Sequence, residues 1–459
     1  MAKWQAPSGF RDFLPEQFRR RGELMRKIRE TYESFGFEGL ETPALENLAV
    51  FLGKGGGENE KLMFRVLKRG AELGRALERR EELSDLALRF DLTVPLARYY
   101  ATHRAELPAV FKRYHIGPVW RAERAQHGRY REFIQCDVDV LGSNSFLAVV
   151  EVIQATTAAL ANLGFRDLTL RFNARPLLQA LVRSAGTPEA LIAGVITSLD
   201  KLDKEPLEKV REELVSRGVA GPAAEDLLRA HQELAGYDNP TRLQQVKSKL
   251  GESAESRKIL GQVEDLMKWR EDLSAASCRL LFDPFLARGM DYYTDAIFEI
   301  YAEGVPFSLA GGGSYNDLLG VFCGQKVHAV GFSIGFERIY TLMEERKMFG
   351  APSRAADVLV VVLTETTGTD SSPSIDLTKE SVRLAKELRA AGLRVDLYLK
   401  HDADLITQFA LAEKKGIRWA AIPDPRETAK GNVNLRDLAA RKNTSVPRAE
   451  AAAWLKARL

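Results

Sequence analysis

Arginines, carboxylates and amide or hydroxyl side chains interrupt several half-apolar stretches of this 459-residue chain, at positions where a core strand would carry Val or Ile. Residues 286 to 299, LARGMDYYTDAIFE, hold Arg288, Asp291, Tyr292 and Tyr293. Tyrosines at that spacing usually belong to a core, but a buried arginine must find an anionic partner. Gly289 relaxes the backbone beside it, which lets Arg288, Asp291 and Tyr293 face a ligand. The stretch LALRFDLTVP (86 to 95) adds Asp91 and Thr93; residues 129 to 141 add Arg129, Phe133, Gln135 and Asp139; Arg121, Glu123 and Arg338 stand in two further stretches.

Sorted by chemistry, these residues form two groups. Asp91 and Asp139, with Thr93 and Gln135 as hydrogen-bonding neighbours, suit a small cationic or amine-bearing ligand. Arg121, Arg129, Arg288 and Arg338 suit bidentate capture of phosphate or carboxylate, and would stabilise charge building on a phosphorus centre. Activation of an amino acid by ATP needs both groups in one place. No GxxxxGKS/T run is present, so side chains and not a P-loop would hold the phosphates. His115, His127 and His328 are left out of the set, because this activation requires no protein base. Glu123 and Asp137 are equally readable as solvated sheet-face charges, and Arg131 reads as a surface residue.

The elements that must position these groups follow from periodicity. Residues 15 to 35 have helical spacing, and FEGLETPAL after Gly36 reads as a short strand broken by Pro43. LALRFDLTVP alternates so that Arg89, Asp91 and Thr93 share one strand face. Two further strands, 118 to 123 and 129 to 141, flank the loop RAQHG; odd positions of the second are polar and even positions apolar. A helix (146 to 163) and the strand LTLRFN follow. Strand patterns resume at CRLLFDP (278 to 284), run through residues 286 to 302 and reach SLAGGGSYNDLLG, whose Gly311, Gly312 and Gly313 call for a close approach to the backbone. VGFSIGFERI then passes from strand into helix. If the polar faces belong to one sheet, that sheet is antiparallel with one open, charged side.

Residues 174 to 275 carry charged helical patterns without strand signals, so four segments emerge. These are residues 1 to 173, a helical insertion (174 to 275), residues 276 to 346, and a linker with a C-terminal domain (347 to 459). In the last, strand and helix alternate as in a small parallel sheet. At 45% hydrophobic and 28% charged residues, each part can bury a core. Three scattered cysteines without CxxC or HxxxH argue against disulfides and structural zinc, and for a reducing, cytoplasmic setting. No apolar run is long enough for a membrane span.

FKRYHIGPVWRAERAQHGRYREFIQCDVDVLG resembles motif 2 of the class II aminoacyl-tRNA synthetases, VGFSIGFERI their motif 3, and the first helix with FEGLETPAL their motif 1. LARGMDYYTDAIFE, LRFDLTVPLARYYA and AGGGSYNDL are similar to signature stretches of the histidyl-tRNA synthetase family, within class IIa. The resemblance implies an α+β catalytic domain on a mixed, mainly antiparallel sheet, with the helical insertion and a C-terminal α/β anticodon-binding domain. It implies activation of L-histidine by ATP with Mg2+, transfer to tRNA(His), and a homodimer with motif 1 at its interface. Asp91, Thr93 and Gln135 would hold the α-ammonium, and Asp139 with Tyr293, flanked by Tyr292, the imidazole. Arg288 and Arg121 would contact the α-phosphate, Arg288 also the substrate carboxylate. Glu123 and Phe133 would take the adenine, Arg129 and Arg338 the γ-phosphate, and residues 125 to 128 the acceptor stem. Metal ligands stay unassigned. Ser314 and Asn316 depart from the usual GGRYD run. Two alternatives share these features: a non-catalytic histidine-sensing regulatory subunit of ATP phosphoribosyltransferase, and another class IIa synthetase.

Overall fold

The computed structural model describes residues 4–52, 61–126, 128–203, 205–269, 273, 278–288, 292–350, 354–363, 377–400 and 404–459. Gly289, Asp291 and His127 lie outside the described residues, as does the middle of the linker. The chain divides into two compact units, Met1–Asp12 with Arg21–Met348, and Phe13–Arg20 with Phe349–Leu459.

Strands of the first unit are β1 (Glu38–Gly39), β2 (Leu45–Asn47), β3 (Arg65–Leu67), β4 (Ser84–Leu88), β5 (Phe111–Trp120), β6 (Glu132–Leu141), β7 (Leu168–Ala174), β8 (Cys278–Phe282), β9 (Ala296–Ala302), β10 (Ala310–Ser314) and β11 (Ala329–Gly335). Eight of them form one sheet in the order β1-β5-β6-β11-β10-β9-β7-β8. Its interior pairs are antiparallel and its two outermost pairs, β1–β5 and β7–β8, parallel. Strand alternation gives this sheet two faces of different character. Val138, Phe332 and Phe298 are buried on the back, where Phe298 and Phe332 meet edge-on at 4.7 Å between ring centroids. The apolar helix Leu147–Asn162 covers that face. The front face is the floor of a cleft. The helices of the insertion, from Arg175–Ser184 to Ala254–Lys268, lie between β7 and its parallel neighbour β8.

Three expectations need correction. LALRFDLTVP is not one strand: β4 ends at Leu88, pairs with β2 and β3 in a separate sheet, and Thr93 opens the helix Thr93–His103. The Asp91 carboxylate turns the chain by accepting the Val94 N–H at 3.1 Å, satisfying one of the unpaired donors of a helix start. The hairpin of motif 2 has strands at Phe111–Trp120 and Glu132–Leu141, so Arg121, Glu123 and Arg129 lie on its loop. Between Leu286 and Asp295 the described residues form no strand, because a chain leaving β8 must pass β7 to reach β9, its neighbour on the far side. Asn173 at the end of β7 holds that connection, donating to the carbonyls of Pro284 and Leu286 at 2.9 and 3.1 Å.

The second unit contains β12 (Val358–Val360), β13 (Val395–Leu397), β14 (Trp419–Ile422), β15 (Asn432–Asp437) and β16 (Lys442–Pro447) in the order β13-β12-β14-β15-β16. The first three are parallel, as alternating strand and helix require, but β14, β15 and β16 pair antiparallel, so the sheet is mixed. Val358, Val360, Leu384, Leu388 and Leu435 pack on one face and Leu359, Val361, Ile417 and Ala420 on the other.

Candidate active site

Two transverse rows of residues make the cleft floor. One runs Arg171, Glu299, Gly311, Ser333, Asp137 and His115 across β7, β9, β10, β11, β6 and β5; the other runs Asn173, Ile297, Gly313, Gly331, Asp139 and Arg113 across the same strands. The glycines leave slots that neighbouring side chains of the same chain fill. A Cβ on Gly311 would lie 1.7 Å from the Arg288 guanidinium, on Gly313 2.7 Å from the Tyr293 ring, and on Gly331 1.9 Å from the Asp139 carboxylate. Close approach to this backbone is thus made by Arg288, Tyr293 and Asp139, which lie flat over the sheet.

Asp139 is held from two sides. The Tyr315 hydroxyl donates to it at 2.5 Å and the wholly buried Arg113, directly opposite on β5, ion-pairs with it at 2.9 Å. Asp137, buried and not solvated, leaves one carboxylate oxygen without a partner. Burial pushes Asp137 and Asp139 upward, opposed chiefly by Arg113. Asp91 sits behind, where Tyr292 donates to it at 3.4 Å; burial raises it to about 6 despite the Val94 N–H. His115 is driven down to about 3 by burial and then by Arg113 and Arg89, so it stays neutral at physiological pH.

A cavity of about 80 Å³ opens among Thr93, Gln135, Asp139, Arg288, Tyr292 and Tyr293. A second, of about 160 Å³, is lined by Glu123, Arg129, Phe133, Glu337 and Arg338. Arg121, Gln135, Arg288, Gly311 and Ser333 border both, so the two adjoin. Four arginines therefore converge on adjoining space, and Arg338 is lowered first by burial and then by Arg129. Their present partners are few: Arg121 donates to the Phe90 carbonyl at 2.9 Å, Arg338 to that of Ser308 at 2.8 Å, and Arg129 pairs with Glu123 at 3.0 Å. Arg121 also lies 5.1 Å from the centroid of the Phe133 ring, at the base of the larger cavity. Arg288 pairs with Glu299 at 2.5 Å, so four arginines face two paired acids, and the excess positive charge makes the recess a site for polyanions.

The structure thus brings together Thr93, Gln135, Asp139, Tyr292, Tyr293, Arg288 and Arg121, and beside them Glu123, Phe133, Arg129 and Arg338. Asp91 is one layer back, reached through Tyr292. The sequence reading did not single out Arg113, Tyr315, Ser333, Glu299 or Glu337. Arg113 had a signal, since its alternation on FKRYHIGPVW puts it on the side of His115; Glu299 had one in LARGMDYYTDAIFE. Arg131 is not a free surface residue: it donates to the Glu123 carbonyl at 3.1 Å and its N–H to that of Gly9 at 2.9 Å. Ser314 is buried in β10, and Asn316 donates to Asp295 at 2.6 Å and accepts the Ala329 N–H at 2.9 Å, so these departures still close the loop onto β11.

Among the described residues, no three His, Cys, Asp or Glu side chains cluster to hold a metal, and no helix is long and apolar enough to cross a membrane.

Residues 9–339 match the family model of histidyl-tRNA synthetase, and residues 357–458 that of an anticodon-binding domain. The chain is 43% identical over 399 residues to the histidine–tRNA ligase of Leifsonia xyli subsp. xyli, covering 85% of this chain and 89% of that protein. It is 37% identical over 473 residues to that of Gloeobacter violaceus, covering 98% of both. The crystal structure of histidyl-tRNA synthetase from a Nostoc species superposes with a TM-score of 0.78 at 29% identity, over 100% of each chain. An ATP phosphoribosyltransferase regulatory subunit/histidyl-tRNA synthetase from Bacillus halodurans shares the fold, with a TM-score of 0.70 at 21% identity, over 90% of this chain and 96% of that one.

Proposed function

This chain belongs to the histidyl-tRNA synthetase family and is an aminoacyl-tRNA ligase that joins histidine to tRNA with ATP, and we propose the following division of labour among its residues. Histidine occupies the smaller cavity. Thr93 and Gln135 receive its α-ammonium, with Asp91 acting from the layer behind through Tyr292, while Asp139 and Tyr293, with Tyr292 beside them, meet the two imidazole nitrogens. ATP occupies the larger cavity with its adenine over Phe133 and against Glu123, and its γ-phosphate between Arg129 and Arg338. Arg288 and Arg121 grip the α-phosphate at the boundary.

The observation that carries this reading is the shared border of the two cavities, since an adenylate spans both. The histidine carboxylate attacks the α-phosphorus in line, the bond to the bridging oxygen breaks, and pyrophosphate leaves. Arginines positioned beforehand at the α-phosphate stabilise the added negative charge, which is most of what catalysis of such a transfer needs. The adenylate then acylates the terminal ribose of tRNA, its acceptor end approaching residues 125 to 128. Mg2+ would be carried in chiefly by the phosphates of ATP, beside Arg129 and Arg338. When bound, it neutralises phosphate charge. Paired donors and acceptors around the imidazole reject other amino acids, because each leaves buried polar groups unpaired at about 1–3 kcal/mol apiece.

We further assign residues 1–173 and 276–346 to the catalytic domain, 174–275 to the insertion and 347–459 to the linker and anticodon-binding domain. We propose a homodimer, because β1 is a short strand at the edge of the large sheet and such edges favour a partner, and a cytoplasmic location. The regulatory-subunit reading lacks a specific support here: the four arginines are present and residues 357–458 match an anticodon-binding domain. Pyrophosphate exchange into ATP, run with each amino acid, tests the proposal. Exchange dependent on histidine alone is expected; exchange with another amino acid, or with none, overturns it.

A further inference from the structure

Beyond the cleft, the floor row continues through Glu299 on β9 to Arg171 on β7, each directly beside the next. Glu299 accepts from Arg288 at 2.5 Å, from the Tyr301 hydroxyl at 2.5 Å and from the Ser308 hydroxyl at 3.4 Å. It is the one carboxylate ion-paired with Arg288 among the described residues. Arg171 lies over the Tyr301 ring at 4.5 Å from its centroid and pairs at 2.6 Å with Asp203, which stands between the insertion helices Ile192–Leu199 and Leu207–Ser216. An unbroken series of contacts thus joins the helical insertion to the arginine at the boundary of the two cavities.

We propose that Glu299 is the positioning residue for Arg288, and that Tyr301 and Arg171 tie this position to the insertion at Asp203. The proposal rests on the reading that Arg288 acts at the α-phosphate. The side chains of Arg288 and Glu299 are 18% and 12% exposed, so their attraction is screened far less than that of a surface pair. An arginine has enough rotamers to lose its aim without a fixed partner. Gly311 supplies the slot, and Glu299 engages one Nη1 N–H, leaving other N–H groups of the guanidinium for the substrate carboxylate and phosphate. Glu299 is fixed in turn by Tyr301, whose ring Arg171 covers. Movement of the insertion at Asp203 is thereby passed to the atom that meets the α-phosphate.

The test is steady-state histidine-dependent pyrophosphate exchange for wild type, Glu299→Gln, Tyr301→Phe and the double variant, with thermal unfolding of each. Glu299→Gln keeps the shape and removes the charge; we expect kcat to fall about 10²-fold, with KM for ATP and histidine within about 3-fold, as for a misaimed group. Tyr301→Phe keeps the ring under Arg171 and removes one hydrogen bond; a fall of about 3- to 10-fold is expected, since a hydrogen bond to a charged group is roughly twice as strong as a neutral one. Because both act through one pair, the double variant is expected to lose no more than Glu299→Gln alone. Wild-type kcat in Glu299→Gln, multiplicative losses in the double variant, or losses matching the unfolded fraction overturn the proposal. Should Glu299→Gln fold poorly, Tyr301→Phe decides: an unchanged kcat overturns the proposal and the expected fall supports it. Absence of exchange in the wild type would instead overturn the functional reading on which the proposal rests.

Discussion

In the smaller half of the cleft two of the three acids are already partnered, Asp139 by Arg113 and Tyr315 and Asp91 by the Val94 N–H and Tyr292, while Asp137 keeps one oxygen open. In the larger half Arg121 and Arg338 have carbonyl partners, Arg129 and Arg288 have one acid each, and Arg338 is repelled by Arg129. The difference follows from what each half receives. A neutral imidazole demands a fixed pattern of donors and acceptors, so its acids are held rigidly in buried positions. On the proposed assignment a polyphosphate brings its own charge, and the four arginines outnumber their two acid partners until it arrives. The proposal thus gives discrimination to the first half and charge stabilisation to the second, with Arg288 at the seam.

Substitutions can sharpen or break that contrast. The largest effect is expected at the seam: Arg288→Ala should lower exchange about 10³-fold or more, far beyond the loss of folded protein caused by leaving Glu299 unpaired, because it removes charge stabilisation from the transition state. Near-normal turnover would remove Arg288 from the chemistry. In the acid half, Asp139→Asn leaves the buried Arg113 without its counter-charge, and we expect a loss of about 3–5 kcal/mol of stability alongside a raised KM for histidine, read by denaturant unfolding and exchange kinetics. Unchanged stability would mean that the pair is not a paired buried charge at all.

Asp91→Asn should act in the opposite direction on stability. A carboxyl raised from 3.8 to about 6 by burial is easier to protonate folded than unfolded. Its ionised form therefore costs the native state roughly 3 kcal/mol above pH 6, less as pH falls, and nothing below about 4. The variant keeps an oxygen for the Val94 N–H. It should unfold at a higher temperature than wild type at pH 8, with the difference vanishing near pH 4, while histidine binding is lost at both. A variant less stable at pH 8 would contradict the burial argument. The smallest effect is expected in the arginine half, where Arg129 is half-exposed: Arg129→Ala should raise KM for ATP about 10-fold, leave KM for histidine unchanged and shift stability by less than about 1 kcal/mol. An equal rise in both KM values would deny the division.

Much of this was legible in the residues. The polar face of β6 has period two, β10 is marked by its three glycines, and the helices of the insertion announce themselves by their own period. What failed was local continuation of a pattern. Alternation in LALRFDLTVP persists past Leu88, but Asp91 followed by Pro95 is a helix-start signal, and the chain obeyed it. Residues 286 to 295 alternate too, yet β9 lies beyond β7 and the chain has to cross over. The residues missed in the site share one cause: Arg113, Tyr315 and Glu299 gain their roles from partners 26, 176 and 11 positions away, set by strand register that no local spacing reveals. In the second unit, the antiparallel β15 and β16 were missed because NVNLRD and KNTSVP are too polar to read as strands.

The claim everything else depends on is that the two cavities are one binding site. Its most direct test is a crystal structure with histidine and a non-hydrolysable ATP analogue. The account predicts the imidazole between Asp139 and Tyr293, the adenine over Phe133, and the α-phosphate within hydrogen-bond distance of Arg288 and Arg121. Either ligand bound outside this cleft, or a histidine carboxylate pointing away from the α-phosphate, would contradict it.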